Sequence, residues 1–484
     1  MRRNTERPIR VGVRRRAGFA GLIAALTVAV LLAAGCSSSS STSSSSPAAN
    51  SASGSSPAAA QGSAPPASTA PADTKAGPAA DVGLTATTIK IGVIADVNNP
   101  LVPGLFLKSV NAVKAWASTI NASGGLDGRK VVVDFCDSKL DPNATSNCVI
   151  AACQNDFALV GTAANALEDL SDLDGCKNAA GKSIGLPNLA AFAFLPEQCD
   201  AVTYLVAGTG EYCKTAKQSP PTYEVPVGDA QYFTKQNSGL HGIWLYDSDD
   251  PTFKVTQVPV FQGESNLGIK KDGEGFYALS GAAPQSAYTP FIQQIKASGS
   301  SFVYDDTTMP SMVLVRREAQ LQGVNSVKVW ECNSSCYEPQ FYQQGGAAVN
   351  GTYASLIELP YESDYTANPA LDKEITALGG TSGMDNNAMG SFIMALLFQD
   401  AVQKIQASGQ TLSRQSLFST LNNDETTFDA YGVVGPTNIG TRTASNCQVL
   451  IQLQNGVWKR VDPATPGTLD CSPANVATVK MTVP

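Results

Sequence analysis

The sequence predicts an α/β fold with parallel sheets divided over two lobes, and three observations predict it. First, short apolar strands alternate with helical segments over residues 84–484, the order that requires right-handed crossovers and parallel pairing. Second, those strands are apolar at consecutive positions, as expected where helices cover both faces of a sheet. Third, this stretch is too long for one ordinary core, so two compact lobes are expected.

The elements follow in order. Residues 89–95 carry Ile89, Ile91, Val93 and Ile94 and read as a buried strand. Phe106, Val110, Val113, Ala117 and Ile120 recur at three- and four-residue spacing, one face of a helix that Gly124 and Gly125 stop. A second strand covers 130–135, a helix 142–153 and a third strand 157–160, ending at Gly161. A helix over 167–180 and a strand over 183–186 complete the first series. The second series has strands at 242–246, 276–279, 301–304, 327–330 and 352–359, with helices at 290–297 and 312–322. A long helix spans about 386–406, with Phe392, Leu396, Phe398 and Val402 along it. Residues 448–453 and 457–461, split by Asn455-Gly456, read as a β-hairpin.

The N-terminus sets the compartment. Arg2, Arg3, Arg7, Arg10 and Arg14 to Arg16 precede an apolar stretch over 17–34. A basic region, an apolar region and small residues before a cleavage point describe an export signal. The segment Leu32-Ala33-Ala34-Gly35-Cys36 resembles a bacterial lipobox, with Ala33 where Leu is commoner. That resemblance implies a diacylglyceryl group on Cys36 and anchoring outside the cytoplasm. Residues 37–83 are almost entirely Ser, Ala, Pro, Thr and Gly, a composition with too little apolar surface to offset chain entropy. The expected organisation is a signal segment over 1–35 and a lipidated tether over 36–83. One lobe takes 84–225 with about 360–440, and the other 226–359 with about 441–484.

Composition excludes several classes. The formal net charge is −8 even with the Arg-rich leader included, which argues against nucleic acid as a partner. Besides Cys36 there are ten cysteines, an even number that reads as disulfides in an exported chain. Cys199 with Cys213 and Cys332 with Cys336 are the plausible local bridges. His241 is the only histidine, so neither a zinc site nor a Ser-His-Asp system is expected. No nucleophile elbow or Walker loop occurs. The chain reads as a non-enzyme without metal or cofactor.

Several segments together resemble a known family. They are Ile89-Lys90-Ile91-Gly92-Val93-Ile94-Ala95, Ile120-Asn121-Ala122-Ser123-Gly124-Gly125-Leu126-Asp127-Gly128-Arg129-Lys130, Phe157-Ala158-Leu159-Val160-Gly161, and the stretch from Tyr288-Thr289-Pro290-Phe291 to Ser298-Gly299. In this order they are similar to the type I solute-binding proteins of ABC importers, specifically the branched-chain amino acid (leucine/isoleucine/valine) receptor-like family. The resemblance implies two Rossmann-like lobes joined by three hinge crossings, the periplasmic-binding-protein type I architecture. A small ligand would lie in the cleft between them, beyond the carboxyl ends of the strands. It implies ABC permease subunits as partners, and a membrane held through the lipid on Cys36. A ligand-sensing or scaffold lipoprotein of the same fold, with no transport role, is the alternative.

Candidate ligand contacts come from strand-end loops. The resemblance places a ligand carboxylate near Thr162, Ala163 and Asn165, where a helix N-terminus favours an anion; Asn165 also suits a plain helix cap. Ala164 beside Ala163 removes the usual hydroxyls, which argues against assuming an amino-acid ligand. Ala190 and Phe192 follow the fourth strand and offer apolar contact or core packing. In the second lobe Tyr246, Asp305, Asp306 and Glu331 stand at strand ends. The resemblance implies that an aromatic ring near Tyr246 covers the ligand and an acid near Glu331 pairs with its ammonium group; solvated loop acids are the alternative.

Overall fold

The computed structural model describes residues 76–483 apart from 100–102, 166 and 168. The expected export signal, Cys36 and the expected tether up to residue 75 lie outside the described residues. Among the described residues no helix is long and apolar enough to cross a membrane.

The first lobe holds β1 (Thr88–Ala95), α1 (Leu107–Ala122), β2 (Lys130–Asp137), α2 (Pro142–Asn155), β3 (Leu159–Thr162), α3 (Ser171–Asp174), β4 (Asn188–Ala190), α4 (Leu195–Gln198) and β5 (Thr203–Tyr204). Its five strands are all parallel, in the order β2-β1-β3-β4-β5. The order reverses direction between β1 and β3, which marks the topological switch point of an open α/β sheet. Asp141 caps α2 by accepting the Ala144 N–H at 2.8 Å, with Pro142 at the first helical position.

The chain then runs through α5 (Gly210–Thr215), β6 (Thr222–Pro226) and α6 (Gly228–Gln236) into the second sheet. That region comprises β7 (His241–Asp247), α7 (Pro251–Asn266), β8 (Lys270–Leu279), α8 (Thr289–Ser298), β9 (Phe302–Asp306), α9 (Met309–Leu321), β10 (Val329–Cys332), α10 (Pro339–Gly345) and β11 (Thr352–Leu356). After α11 (Pro369–Ala377), α12 (Asn386–Ser408) and α13 (Arg414–Asn423) come β12 (Val449–Gln454), β13 (Val457–Asp462) and β14 (Val476–Lys480). The seven-stranded order is β13-β12-β11-β10-β9-β7-β8, parallel except for the hairpin of β12 and β13. β14 returns to pair with β6. α12 packs on α1 and β3 of the first sheet, so the chain passes between the two sheets three times: before β7, after β11 and before β12.

All ten described cysteines are paired: Cys136 with Cys148, Cys153 with Cys176, Cys199 with Cys213, Cys332 with Cys336, and Cys447 with Cys471. Both expected local bridges are among them.

Three elements differ from the sequence reading. The helix expected over 167–180 is only the single turn α3: Gly175 ends it, and Cys176 is drawn to α2 by its disulfide. The strand expected over 183–186 lies later, as β4, where the Pro187 carbonyl accepts the Leu159 N–H and Asn188 pairs with Leu159. No element was expected where α7 runs; it carries Pro259 inside it, and its start is regular, with Asp250 accepting the Thr252 N–H and Pro251 in the first turn.

The end of the low-complexity segment is also part of the fold. Ala80 donates to Leu412 O at 3.1 Å, and Leu412 donates back to Pro78 O at 2.8 Å. Arg129, 3 % exposed, donates to Thr85 O and to Gly77 O. Asp127, at φ 51°, pairs with the same guanidinium. The Gly-Arg-Lys motif therefore anchors the incoming chain. Composition could not show this, because the incoming segment is held largely by its backbone groups.

Candidate functional site

The crevice at the switch point is filled by the protein itself. Asp96, fully buried just after β1, accepts the Ser138 hydroxyl at 2.6 Å, the Leu140 N–H at 2.7 Å and the Asn165 N–H at 2.7 Å. It ties together the loops after β1, β2 and β3. The N–H of Asn165, a natural grip for a ligand carboxylate, is thus already engaged by an internal one. Ala163 is buried and joins β3 to β1, donating to Ile94 O at 2.9 Å. Thr162 is buried with its hydroxyl unpartnered. It follows Gly161, whose positive φ of 74° accompanies a register shift against β4. A Cβ at Gly161 would lie 2.7 Å from Val113 and 3.0 Å from Ser391, so glycine is required there.

A cavity of 530 Å³ opens between the two sheets at their carboxyl ends. A second chamber of 200 Å³ shares Phe192, Ser334, Ile357, Asn386 and Asn387 with it. Its apolar side is aromatic. Phe192, after β4, lies 5.1 Å from Phe106 and 6.0 Å from Phe194, and Phe194 meets Phe253 of α7 edge-on at 5.3 Å. This row of rings crosses from the first sheet's loops to the second's. Tyr212 and Tyr223 stack at 4.9 Å on another wall, and burial pushes the Tyr223 phenol up to about 12.

Its polar side is made of amides, hydroxyls and the two acids Glu224 and Asp306. Gln257 of α7 accepts the Asp247 N–H at 3.0 Å and donates to Asp306 O at 2.6 Å, which fixes the end of β9. Asn333 donates to the Asp306 carboxylate at 2.8 Å and accepts the Ser335 N–H at 3.0 Å. The disulfide of Cys332 with Cys336 closes a small ring around Asn333, Ser334 and Ser335, all three of which line the cavity. Asn386, in the first turn of α12, reaches Ser334 at 3.2 Å. No Lys, Arg or His is among the described residues lining either chamber. Desolvation raises the Asp306 carboxyl to about 7.

Of the residues singled out in the sequence, Phe192 and Asp306 line this cavity and the others do not. Thr162, Ala163 and Asn165 build the closed junction around Asp96. Ala190 is buried with Ala193 and Leu205. Tyr246 packs beside the Trp244 cluster, with the Lys254 ammonium 5.9 Å from its ring. Asp305 points inward and accepts the Thr307 and Ser311 hydroxyls at 2.6 and 2.9 Å, which anchors the start of α9; burial raises it to about 6. Glu331 lies inside β10, one residue before the disulfide ring, and is buried among other acids. The residues that sequence reasoning missed are mainly Gln257, Asn333, Asn386 and the tyrosine pair. Only the Cys332–Cys336 spacing hinted at a constrained loop there.

The sequence matches the periplasmic binding protein family over residues 88–173 and 266–457, more than half of the chain. The chain belongs to that family. No curated protein matches it in sequence. Among solved structures, it is similar to a leucine binding protein from Thermotoga maritima MSB8, with TM-score 0.58 and 15% identity over 80% of this chain and 99% of that one. A fatty acid ABC transporter substrate-binding protein from Thermomonospora curvata gives 0.59 and 15% over 82% and 95%. A branched chain amino acid ABC transporter protein from Thermus thermophilus with bound valine gives 0.61 and 12% over 78% and 97%. These likenesses establish the type I fold of the family: two α/β lobes with parallel sheets. The one histidine sits far from such a cleft in sheet terms. It opens β7 at its amino end and pairs with Asp272 at 2.9 Å.

Proposed function

We propose that this member of the periplasmic binding protein family is the lipid-anchored solute-binding component of an ABC importer. It captures a small, uncharged polar metabolite between its lobes outside the cytoplasm. The observation that carries this reading is the lining of the cavity: amides, hydroxyls and the acids Glu224 and Asp306 on one side, aromatic rings on the other, and no cationic side chain among the described lining residues. Amides and hydroxyls can satisfy a ligand's donors and acceptors, and rings cover its apolar face. A ligand carboxylate would meet Glu224 and Asp306 without a counter-ion, and the loop N–H of Asn165 is already held by Asp96. Leucine, valine and fatty acid belong to the similar structures and are less suited to this lining than polyols, sugars or amides.

The test is a thermal-shift screen of the full chain, purified from membranes in detergent and kept oxidised. Ligand at a hundredfold its Kd stabilises the native state by about 2.7 kcal/mol. An uncharged hydroxyl- or amide-bearing compound is expected to raise the melting temperature, and Phe192→Ala to weaken binding about tenfold or more. Shifts confined to carboxylate-bearing amino acids would overturn the ligand class. Absence of any shift across amino acids, amides, polyols, sugars and fatty acids would overturn solute capture. Anchoring is checked separately, by incorporation of labelled palmitate into the chain and its loss in Cys36→Ala.

A further inference from the structure

Three acids distant in sequence meet inside the second lobe. Asp229 lies in the first turn of α6, Glu264 near the end of α7 and Glu331 within β10. One carboxylate oxygen from each lies within 4.8 Å of the other two. Asp229 is 7 % exposed, Glu331 1 % and Glu264 not at all. The surroundings are aromatic: Trp244, Phe261 and Tyr304 belong to the same buried layer. No cation neutralises the group, since none of the ion pairs among the described residues includes any of the three.

The hydrogen bonds are also incomplete. Asp229 accepts the Ala230 N–H at 2.7 Å, and Glu264 accepts the Trp244 indole N–H at 2.5 Å. Oε1 of Glu264 is buried without a hydrogen-bond partner, and both oxygens of Glu331 are buried with none from outside the three acids. Asp229 lies directly beside Glu331, within hydrogen-bond reach when one of the two carries a proton. An uncompensated buried carboxylate costs several kcal/mol, so three in one place need a neutralising partner. Carboxylate oxygens are hard ligands, suited to calcium or magnesium and not to the metals that His and Cys select. Calcium–oxygen bonds are about 2.3–2.6 Å long, so one ion can touch three oxygens that all lie within 4.8 Å of one another.

We propose that Asp229, Glu264 and Glu331 form a structural site for a hard divalent cation of the calcium type, sealed between α6, α7 and the second sheet. The cation supplies the missing partner of Glu331 and locks both helices to β10. It also braces the cavity wall, because α7 presents Val260 to the cavity one turn before Glu264. The site uses acids 35 and 67 residues apart, so no ligand-spacing motif reveals it, and the expectation of no metal rested on His and Cys alone.

Trp244 makes the site visible by spectroscopy. The full chain is stripped with EDTA, desalted and titrated with TbCl3 under indole excitation. Saturable emission with one terbium per chain, displaced by CaCl2, is expected, together with a CaCl2-dependent rise in melting temperature of about 5 °C or more. Glu331→Gln is expected to lose both. Trp244→Phe is expected to lose the sensitised emission while keeping the calcium-dependent melting shift. If the stripped wild-type chain melts identically with and without CaCl2, the acids are neutralised by protons and the proposal fails. Emission that persists unchanged in Glu331→Gln would place the ion elsewhere and likewise overturn it.

Discussion

Arg414→Met is expected to destabilise the native protein by about 3–5 kcal/mol. Arg414 is completely buried. Its guanidinium donates to Phe157 O at 3.2 Å, Lys177 O at 2.8 Å, Cys153 O at 3.0 Å and Asp156 O. These carbonyls lie around the end of α2, the entry to β3 and the loop after α3. The Arg414 backbone N–H meanwhile donates to Asp81 at 2.8 Å. Methionine would fill the volume and take these donors from four carbonyls, of which those of Asp156 and Phe157 are buried, each at the cost of an unmade hydrogen bond. Lysine would not restore them, since its ammonium cannot reach a fan of acceptors as the planar guanidinium does. Urea denaturation measures the loss. Hydrogen exchange should show it concentrated around residues 153–157 and 177; equal exchange there in the variant and wild type would refute this role.

Stability is expected to fall as pH rises from 5 to 8. Glu197 is buried beside Asn188, and desolvation raises its carboxyl from 4.5 to about 8. Desolvation likewise raises Glu374, with an unpartnered oxygen, to about 9, and Glu358 to about 7. The folded state therefore holds protons that the unfolded chain releases above its ordinary glutamate value. The stabilisation is complete below about pH 4.5 and is lost as pH climbs through the folded values. At about 1.4 kcal/mol per unit, Glu197 alone contributes a loss on the order of 3–4 kcal/mol across this window. Melting temperatures in calcium-saturated buffer at pH 5 and pH 8 check the sign, and Glu197→Gln is expected to flatten the slope. A melting temperature that rises toward pH 8 would contradict it.

Much of the fold was legible in the sequence. β1, α1, β2, α2, β7, α8, β9, α9, β10 and α12 fall close to where periodicity, caps and glycines put them. These signals act within a few residues along the chain, so they survive without tertiary information. The local disulfides of Cys199 and Cys332 were legible for the same reason. The region from 167 to 190 was not, because a disulfide and Pro187 override its helical pattern. The candidate site was read less well. Phe192 and Asp306 line the cavity, whereas Asp305, its immediate neighbour, points to the opposite side. Strand alternation gives two faces but does not name which one meets the ligand.

By itself, then, the sequence determined the α/β alternation, the two-lobed scale, the family resemblance and an even set of cysteines. Tertiary structure alone decided the fate of the polar groups. Asp96 closes the switch-point crevice, Arg129 and Arg414 hold the incoming segment, and Glu331 joins Asp229 and Glu264 instead of facing the cleft. The physical reason is range. Apolar periodicity is set by neighbours along the chain, but a buried charge is satisfied only by whatever distant elements bring to it.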